Sequence, residues 1–490
     1  MKKFLAIILT VCLMATAFCT TAFAADAPAE GVVLRVSALK TDGTIDIIGD
    51  YTSFEEGWKI AQIYSGNYYE VKDAGYIRAI VDFYADWNAF KNGRFSSNYD
   101  DCGYIETFYN CHLTMNLNGH TINRGLTEWK YNGEVINIGQ GADVIINDGT
   151  ITGGFSCNGA GGIHIDDRAT VVLNNVNVVG NAVEDDDGAA IAAYDGATLT
   201  MNGGSISNNA IWRSESSFGI PYGGIYLNDS TAYLNNVVFE GNISGGANCS
   251  YAVAIYVDDS DLIAENCTFK GNGYKDLSKK IRSPYSLITL DEGSMTLNNC
   301  VFEDNGNSGT TTILDIVSVY DGDVKISNSK FLNNAIENVI YAVGGTVEVT
   351  ESHFEGNTGR IYYSEKKADG IFKDCNFVGA PTNTESESFY LEKNSSLELN
   401  TCDLGSSTFN DESRVTFVNC FSTEDGNTLP PIAFGEMGFV GSMLGEGSLT
   451  MIIALLALIT SGVSLFLIVD MKKKLAPAAS NNTAKAEDEE

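Results

Sequence analysis

The chain reads as all-β: about twelve parallel, three-sided coils, closed by an N-terminal α/β cap and followed by one apolar helix. Three observations predict this. Apolar residues recur at spacing two in very short runs, which marks strands with one buried face. The runs repeat as a template about every 28 residues. Asn, Asp and Gly punctuate them, with 50 Gly among 490 residues, which excludes a helical solenoid.

The template is clearest at residues 231–242, TAYLNNVVFEGN. Phe239 anchors it, and the anchor column continues at Ile122, Ile151, Val178, Ile206, Phe269, Phe302, Phe331, Phe354, Phe377, Leu404 and, loosely, Ser422. Five and seven residues before each anchor stand further apolar residues, such as Leu234 and Ala232, or Leu297 and Met295. An Ile column lies fourteen or fifteen before, for example Ile163, Ile225, Ile255 and Ile288. No single repeat can bury its own apolar face, whereas a stack in register can. Twelve coils at about 4.8 Å each predict a rod of roughly 55–60 Å.

The column two before the anchor holds small residues and includes Cys267, Cys300, Cys375, Cys402 and Cys420. They are expected as a reduced, buried ladder, because Cys packs as a small apolar residue. His120 stands in the same column and is expected to be structural. The spacing leaves the pairing of Cys102, Cys111, Cys157 and Cys249 open. Asn recurs three before the anchor (Asn175, Asn236, Asn266, Asn299, Asn328) and three after it (Asn181, Asn209, Asn242, Asn272, Asn305, Asn334, Asn357). Both columns are read as turn residues, since Asn tolerates left-handed backbone and bonds turn amides.

Ahead of the repeats, residues 25–110 read as strand, helix and strand. Val32 to Val36 is strand-like, Ser53 to Glu56 is a capping box opening a helix to about Tyr64, and Tyr76 to Tyr84 is again strand-like. Phe54, Trp58 and Ala61 share one helical face. The aromatic wealth of this region is expected to close the core rather than to bind sugar.

The ends carry targeting signals. Residues 1–24 read as a secretory leader, with Lys2 and Lys3, an apolar run and Ala22-Phe23-Ala24. Residues 449–469 lack charge and are long enough to span a bilayer; Lys472, Lys473 and Lys474 follow and place the tail, 470–490, in the cytoplasm. Residues 428–448 are the linker to the repeat domain, 111–427. Without the leader's two Lys the chain holds 28 basic and 63 acidic residues, a net charge of −35. Such a surface excludes nucleic acid and polyanionic sugars as partners. Ca2+ would partly neutralise it, but no ligand set is legible and no cofactor or metal is expected.

Residues 113–125, LTMNLNGHTINRG, resemble an opening coil of right-handed parallel β-helix proteins of the pectin-lyase-like superfamily. Gly-Gly-Ile at 161–163 and 223–225, combined with Phe-x-x-Asn from Phe239, Phe269, Phe302, Phe331 and Phe354, is similar to the repeats of chlamydial polymorphic membrane proteins, surface adhesins. The resemblance covers about residues 111–427 and implies a right-handed coil. This chain has one apolar helix in place of that family's C-terminal barrel, which suits a single-membrane cell such as a Gram-positive bacterium.

Enzymatic β-helices act on polysaccharides, and an inverting hydrolase needs two carboxylates on one face. Candidates are Asp166-Asp167, Asp185-Asp186-Asp187 and Asp258-Asp259, but Gly-His-Gly and Arg-x-Lys, which pectin-depolymerising relatives pair with such acids, are missing. Insertions after the last Asn of the template, at 182–187, 210–222, 243–251, 273–285 and 306–312, are predicted to line one edge as a ridge. Trp212, Arg213 and Tyr222 in one, and Tyr274, Lys275, Lys279, Lys280 and Arg282 in another, are the candidate ligand contacts. Adhesion to an extracellular glycan or protein is the expected function. A polysaccharide lyase or glycoside hydrolase and a passive stalk are the alternatives.

Overall fold

Parallel strands with inward side chains at every second residue stack here into a three-sided coil. The structure, a computed structural model, describes residues 28–66, 69–88, 103–184, 188–213, 222–246, 252–274, 286–306, 315–379, 387–424 and 427–428. All belong to one compact unit, Met1–Ile432. The leader, the linker, the apolar run 449–469 and the tail lie outside them. Among the described residues no helix is long and apolar enough to cross a membrane.

Face 1 carries the Ile column, in strands from Ile136–Ile138 to Phe389–Leu391. Face 2 carries the positions seven and five before the anchor, from His112–Asn116 to Val415–Val418. Face 3 carries the anchors, from Thr121–Asn123 to Asn376–Val378. Pairing between successive turns is parallel throughout these faces, and the coil takes the right-handed sense that parallel crossovers favour.

The expected count of twelve turns is too high. About nine, from Ile136–Ile138 to Asn376–Val378, have strands of at least three residues on every face. The turn holding Ile122 has only Ile105–Glu106 on face 1. At Leu404 and Ser422 the anchor column forms no strand, because the last turns contract into 3-10 and bridge geometry around Glu412–Arg414. Nine turns span about 43 Å.

Two ladders hold face 3. Phe239, Phe269, Phe302, Phe331 and Phe354 stack ring on ring, with centroids 4.6 to 4.8 Å apart and planes within 10°. Beside them runs a buried Asn ladder. The Asn272 backbone N–H and side-chain amide both donate to Asn305 Oδ1, at 3.1 Å each. The same amide donates to the Phe239 carbonyl of the preceding turn at 2.8 Å. The pattern repeats from Asn181 to Asn357. Each Asn thus satisfies backbone groups left open where the chain turns away from face 3. The other Asn column behaves differently: Asn175, Asn236, Asn266, Asn299 and Asn328 have φ between 50° and 56°, the left-handed turn that Asn tolerates.

The five ladder cysteines are buried and free. Cys300 Sγ donates to the carbonyls of Ala264 and Asn298 at 3.6 Å. Cys111 is also buried and free, and Cys157 is half-buried; Cys102 and Cys249 lie outside the described residues. His120 is corrected: it is not interior but about one-third exposed, its Nδ1 3.3 Å from Asp86. It lies at the start of the stack, against the cap residues just before Trp87, which pairs with Ile122.

The cap holds the expected strand, helix and strand, with four additions: the strand Ile45–Tyr51, the short helix Tyr69–Asp73 and the two-residue strands Trp87–Asn88 and Ile105–Glu106. The first strand, Leu34–Lys40, starts two residues later than expected and pairs antiparallel with Tyr76–Phe83 and with Ile45–Tyr51, which sequence reasoning missed. Tyr76–Phe83 then pairs parallel with His112–Asn116, so cap and solenoid share one sheet. The helix Phe54–Tyr64 is capped by Ser53, whose side chain accepts from the Glu56 N–H. It buries Phe54, Trp58 and Ala61 in the main core, and Trp58 Nε1 donates to the Glu106 carbonyl at 3.3 Å.

Candidate ligand-binding face

Between face 3 and face 1 the chain crosses the edge predicted to carry the ridge. The insertions do not begin as loops. The first residues of four of them, Ala182–Val183, Ala210–Arg213, Ile243–Gly246 and Gly273–Tyr274, join Phe155–Ser156 of the preceding turn in a five-stranded parallel sheet, and Gly306 of the fifth forms an isolated bridge to Ala335. The insertions therefore spring from stacked roots. Trp212 and Arg213 pair in backbone register with Gly245 and Gly246, and Tyr274 pairs with Ser244. The side chains of Trp212, Arg213 and Tyr274 fall outside the described residues, as do Lys275, Lys279, Lys280 and Arg282 entirely.

Tyr222 is the described member of the candidate set. Its ring stacks on Tyr226 at 4.4 Å and lies 4.8 Å from Tyr256. Tyr194 joins edge-on, 5.7 Å from Tyr226, and reaches the His164 ring at 5.0 Å. This cluster is separate from the main core, on the outer side of face 1. Its geometry follows from period two: Ile225 and Leu227 point inward, so Tyr226 between them points out.

The outer tyrosines form an oblique series. In register, Tyr226 precedes Tyr256, and after two turns occupied by Thr289 and Ser318 the row resumes at Tyr341, Tyr363 and Tyr390. Each hydroxyl up to Tyr363 reaches a carboxylate on the following turn. Tyr226 donates to Asp258 Oδ2 at 3.4 Å, Tyr256 to Asp291 Oδ2 at 2.9 Å and Tyr363 to Glu392 Oε1 at 3.3 Å; Tyr341 bonds Glu365. Burial and these carboxylates push the phenols up, Tyr256 and Tyr341 far above the ordinary range and Tyr363 to about 12. The hydroxyls stay protonated donors across physiological pH. Tyr226 and Tyr256 are buried, whereas Tyr341, Tyr363 and Tyr390 are half-exposed. The Arg360 guanidinium lies 5.4 Å from the Tyr363 and Tyr390 ring centres.

Where the row is interrupted, Asp315 is buried between Ser318 Oγ at 3.2 Å and the Asn338 amide at 2.8 Å. Loss of hydration pushes its carboxyl up to about 7.

The two described acid pairs, Asp166-Asp167 and Asp258-Asp259, turn to different surroundings. Asp166 accepts or shares a proton with His164 Nε2 at 3.1 Å, while Asp167 accepts from the Gln140 amide at 2.8 Å. Asp258 faces out, but Asp259 is a turn residue with φ 44°. Asp166 and Asp258 share a column three turns apart, about 14 Å, too far for an inverting pair. Asp185, Asp186 and Asp187 lie outside the described residues. Among the described residues no group of three or more His, Cys, Asp or Glu is placed to hold a metal ion.

A family model described as a right-handed beta helix region matches residues 219–377. No curated protein and no solved structure matches the chain.

Proposed function

We propose that this is a secreted surface protein, anchored by residues 449–469, whose solenoid presents a binding face for an extracellular glycan or protein. The observation that carries this reading is the packing of Tyr222 onto Tyr226 and Tyr256. It makes the root of one insertion continuous with the outer row of face 1. Aromatic rings, fixed hydroxyl donors and carboxylate acceptors then form one surface of the composition used in recognition. The acidic body favours neutral or basic ligands.

The test is a glycan array and a cell-binding assay with residues 25–447. Tyr222→Ala and the paired removal of 214–221 and 275–285 should abolish the signal while the thermal midpoint is kept. Undiminished binding in both variants would sink the ridge. Protease accessibility on intact cells tests the topology separately.

One observation favours a second reading, a glycoside hydrolase. Asp291 follows Asp258 in the next turn of the same column, about 4.8 Å away, near the separation of a retaining pair. Reducing-end release from neutral polysaccharides, lost in Asp258→Asn and in Asp291→Asn, would establish it. Silence across the panel would remove it.

A further inference from the structure

The outward rows of faces 2 and 3 change character halfway along the solenoid. The centre row of face 2 runs in register through Ile80, Thr114, Ile145, Val172, Thr200 and Tyr233. Beside it runs an amide row, Asn116, Asn147, Asn174, Asn202 and Asn235. Face 3 continues the surface with Thr150, Asn177, Ser205 and Val238. All of these are partly exposed, Val238 the most. In these rows acids stand only at the borders: Asp82, in register with Asn116 and accepting from its amide, Asp143, paired with Arg78, and Glu240 on the outer edge of face 3. Beyond these turns, as far as that of Glu398, charge returns on all but the turn of Thr296, Asn298 and Val301, with Glu265, Lys325, Glu348, Lys373 and Glu398 in the same rows and Asp261 in the row beside them. A chain with 63 acidic residues therefore keeps an uncharged window about five turns deep, roughly 24 Å along the axis.

The window is also rigid. Asn147 donates to Asn116 Oδ1 at 2.8 Å, Asn174 to Asn147 at 2.8 Å and Asn202 to Asn174 at 2.9 Å. Ser205 Oγ donates to Asn177 Oδ1 at 2.9 Å. Side-chain amides and hydroxyls are thereby held at the turn spacing before any ligand arrives, which reduces the entropy lost on binding.

We propose that this window binds an uncharged polysaccharide chain, independently of the face 1 row. An aliphatic row flanked by fixed amides and hydroxyls matches a polymer that alternates C–H surface with hydroxyls at a constant repeat. With no ion to desolvate, contact carries no charge-burial cost. Polyanions are repelled by the body, and a second copy of the chain would bring the same large negative charge against it.

The experiment is adsorption of the full chain, in detergent micelles, to insoluble cellulose, chitin, β-1,3-glucan and starch. The triple variant Val172→Lys, Thr200→Lys, Tyr233→Lys should lower the affinity for the bound polymer at least about tenfold. Ile371→Lys, on the charged half, should leave it unchanged, as should Tyr222→Ala, which reports on the face 1 reading instead. Thermal unfolding checks each fold, and Thr200→Lys alone serves if the triple variant is unstable. No adsorption to any of the four polymers, or adsorption of a folded triple variant within about twofold of the parent, overturns the proposal. So does lysine-sensitive self-association in sedimentation in place of adsorption.

Discussion

Asp315 and Asn272 are both buried polar groups, and they sit at opposite ends of how such groups are tolerated. Asp315 has two partners but too little hydration, and its carboxyl titrates near 7 rather than near 3.8. A folded-state value above the unfolded one means that its contribution is fully present below about pH 4. It is lost as pH rises through 7. Asp315→Asn should therefore gain stability over the parent progressively from about pH 4 to pH 7 and keep that gain above, with an upper limit on the order of 4 kcal/mol. Urea midpoints at pH 5 and pH 8.5 check this; parallel behaviour of the two proteins would contradict it. Asn272 is fully satisfied in the ladder. Asn272→Ala would strip the acceptor from Asn242 and the donors to Phe239 and Asn305. A loss of about 3 kcal/mol is expected in the same measurement.

The Phe ladder is the strongest element. Phe302 is enclosed by Phe269 and Phe331, so Phe302→Ala should cost about 3–5 kcal/mol and Phe302→Leu under about half of that. Calorimetry of both variants separates lost volume from lost stacking. This element was legible because anchor, Asn and small-residue columns keep fixed offsets within one template. The capped helix was legible too, from Ser53 and the spacing of Phe54, Trp58 and Ala61. The strand Ile45–Tyr51 was not: it is a cap edge strand with Ile45 and Ile47 exposed, so its apolar pattern marks no core. The tyrosine row escaped for another reason. Tyr226 and Asp258 are 32 residues apart, Tyr256 and Asp291 35, and Tyr363 and Glu392 29. Insertions of unequal length scramble those separations, and only strand register restores them.

At the scale of the whole solenoid, each turn contacts chiefly its two neighbours, so stability is a chain of nearest-neighbour terms. Cleavage within 275–285 severs none of the face 1, face 2 or face 3 pairings. Nicked protein should migrate as two fragments when denatured, stay associated when native and melt within a few degrees of the intact chain. Fragments that separate under native conditions would refute this.

The Asn ladder has a mechanical consequence. Its rungs, from Asn181 to Asn357, are arranged in series along the axis, and each closes one turn onto the next. Drawn by its two ends, such a molecule does not yield as one body. It surrenders a coil at a time, each rupture releasing between 23 and 33 residues of slack before the next clamp takes the load. A force–extension trace would be a sawtooth whose tooth spacing follows those unequal repeat lengths.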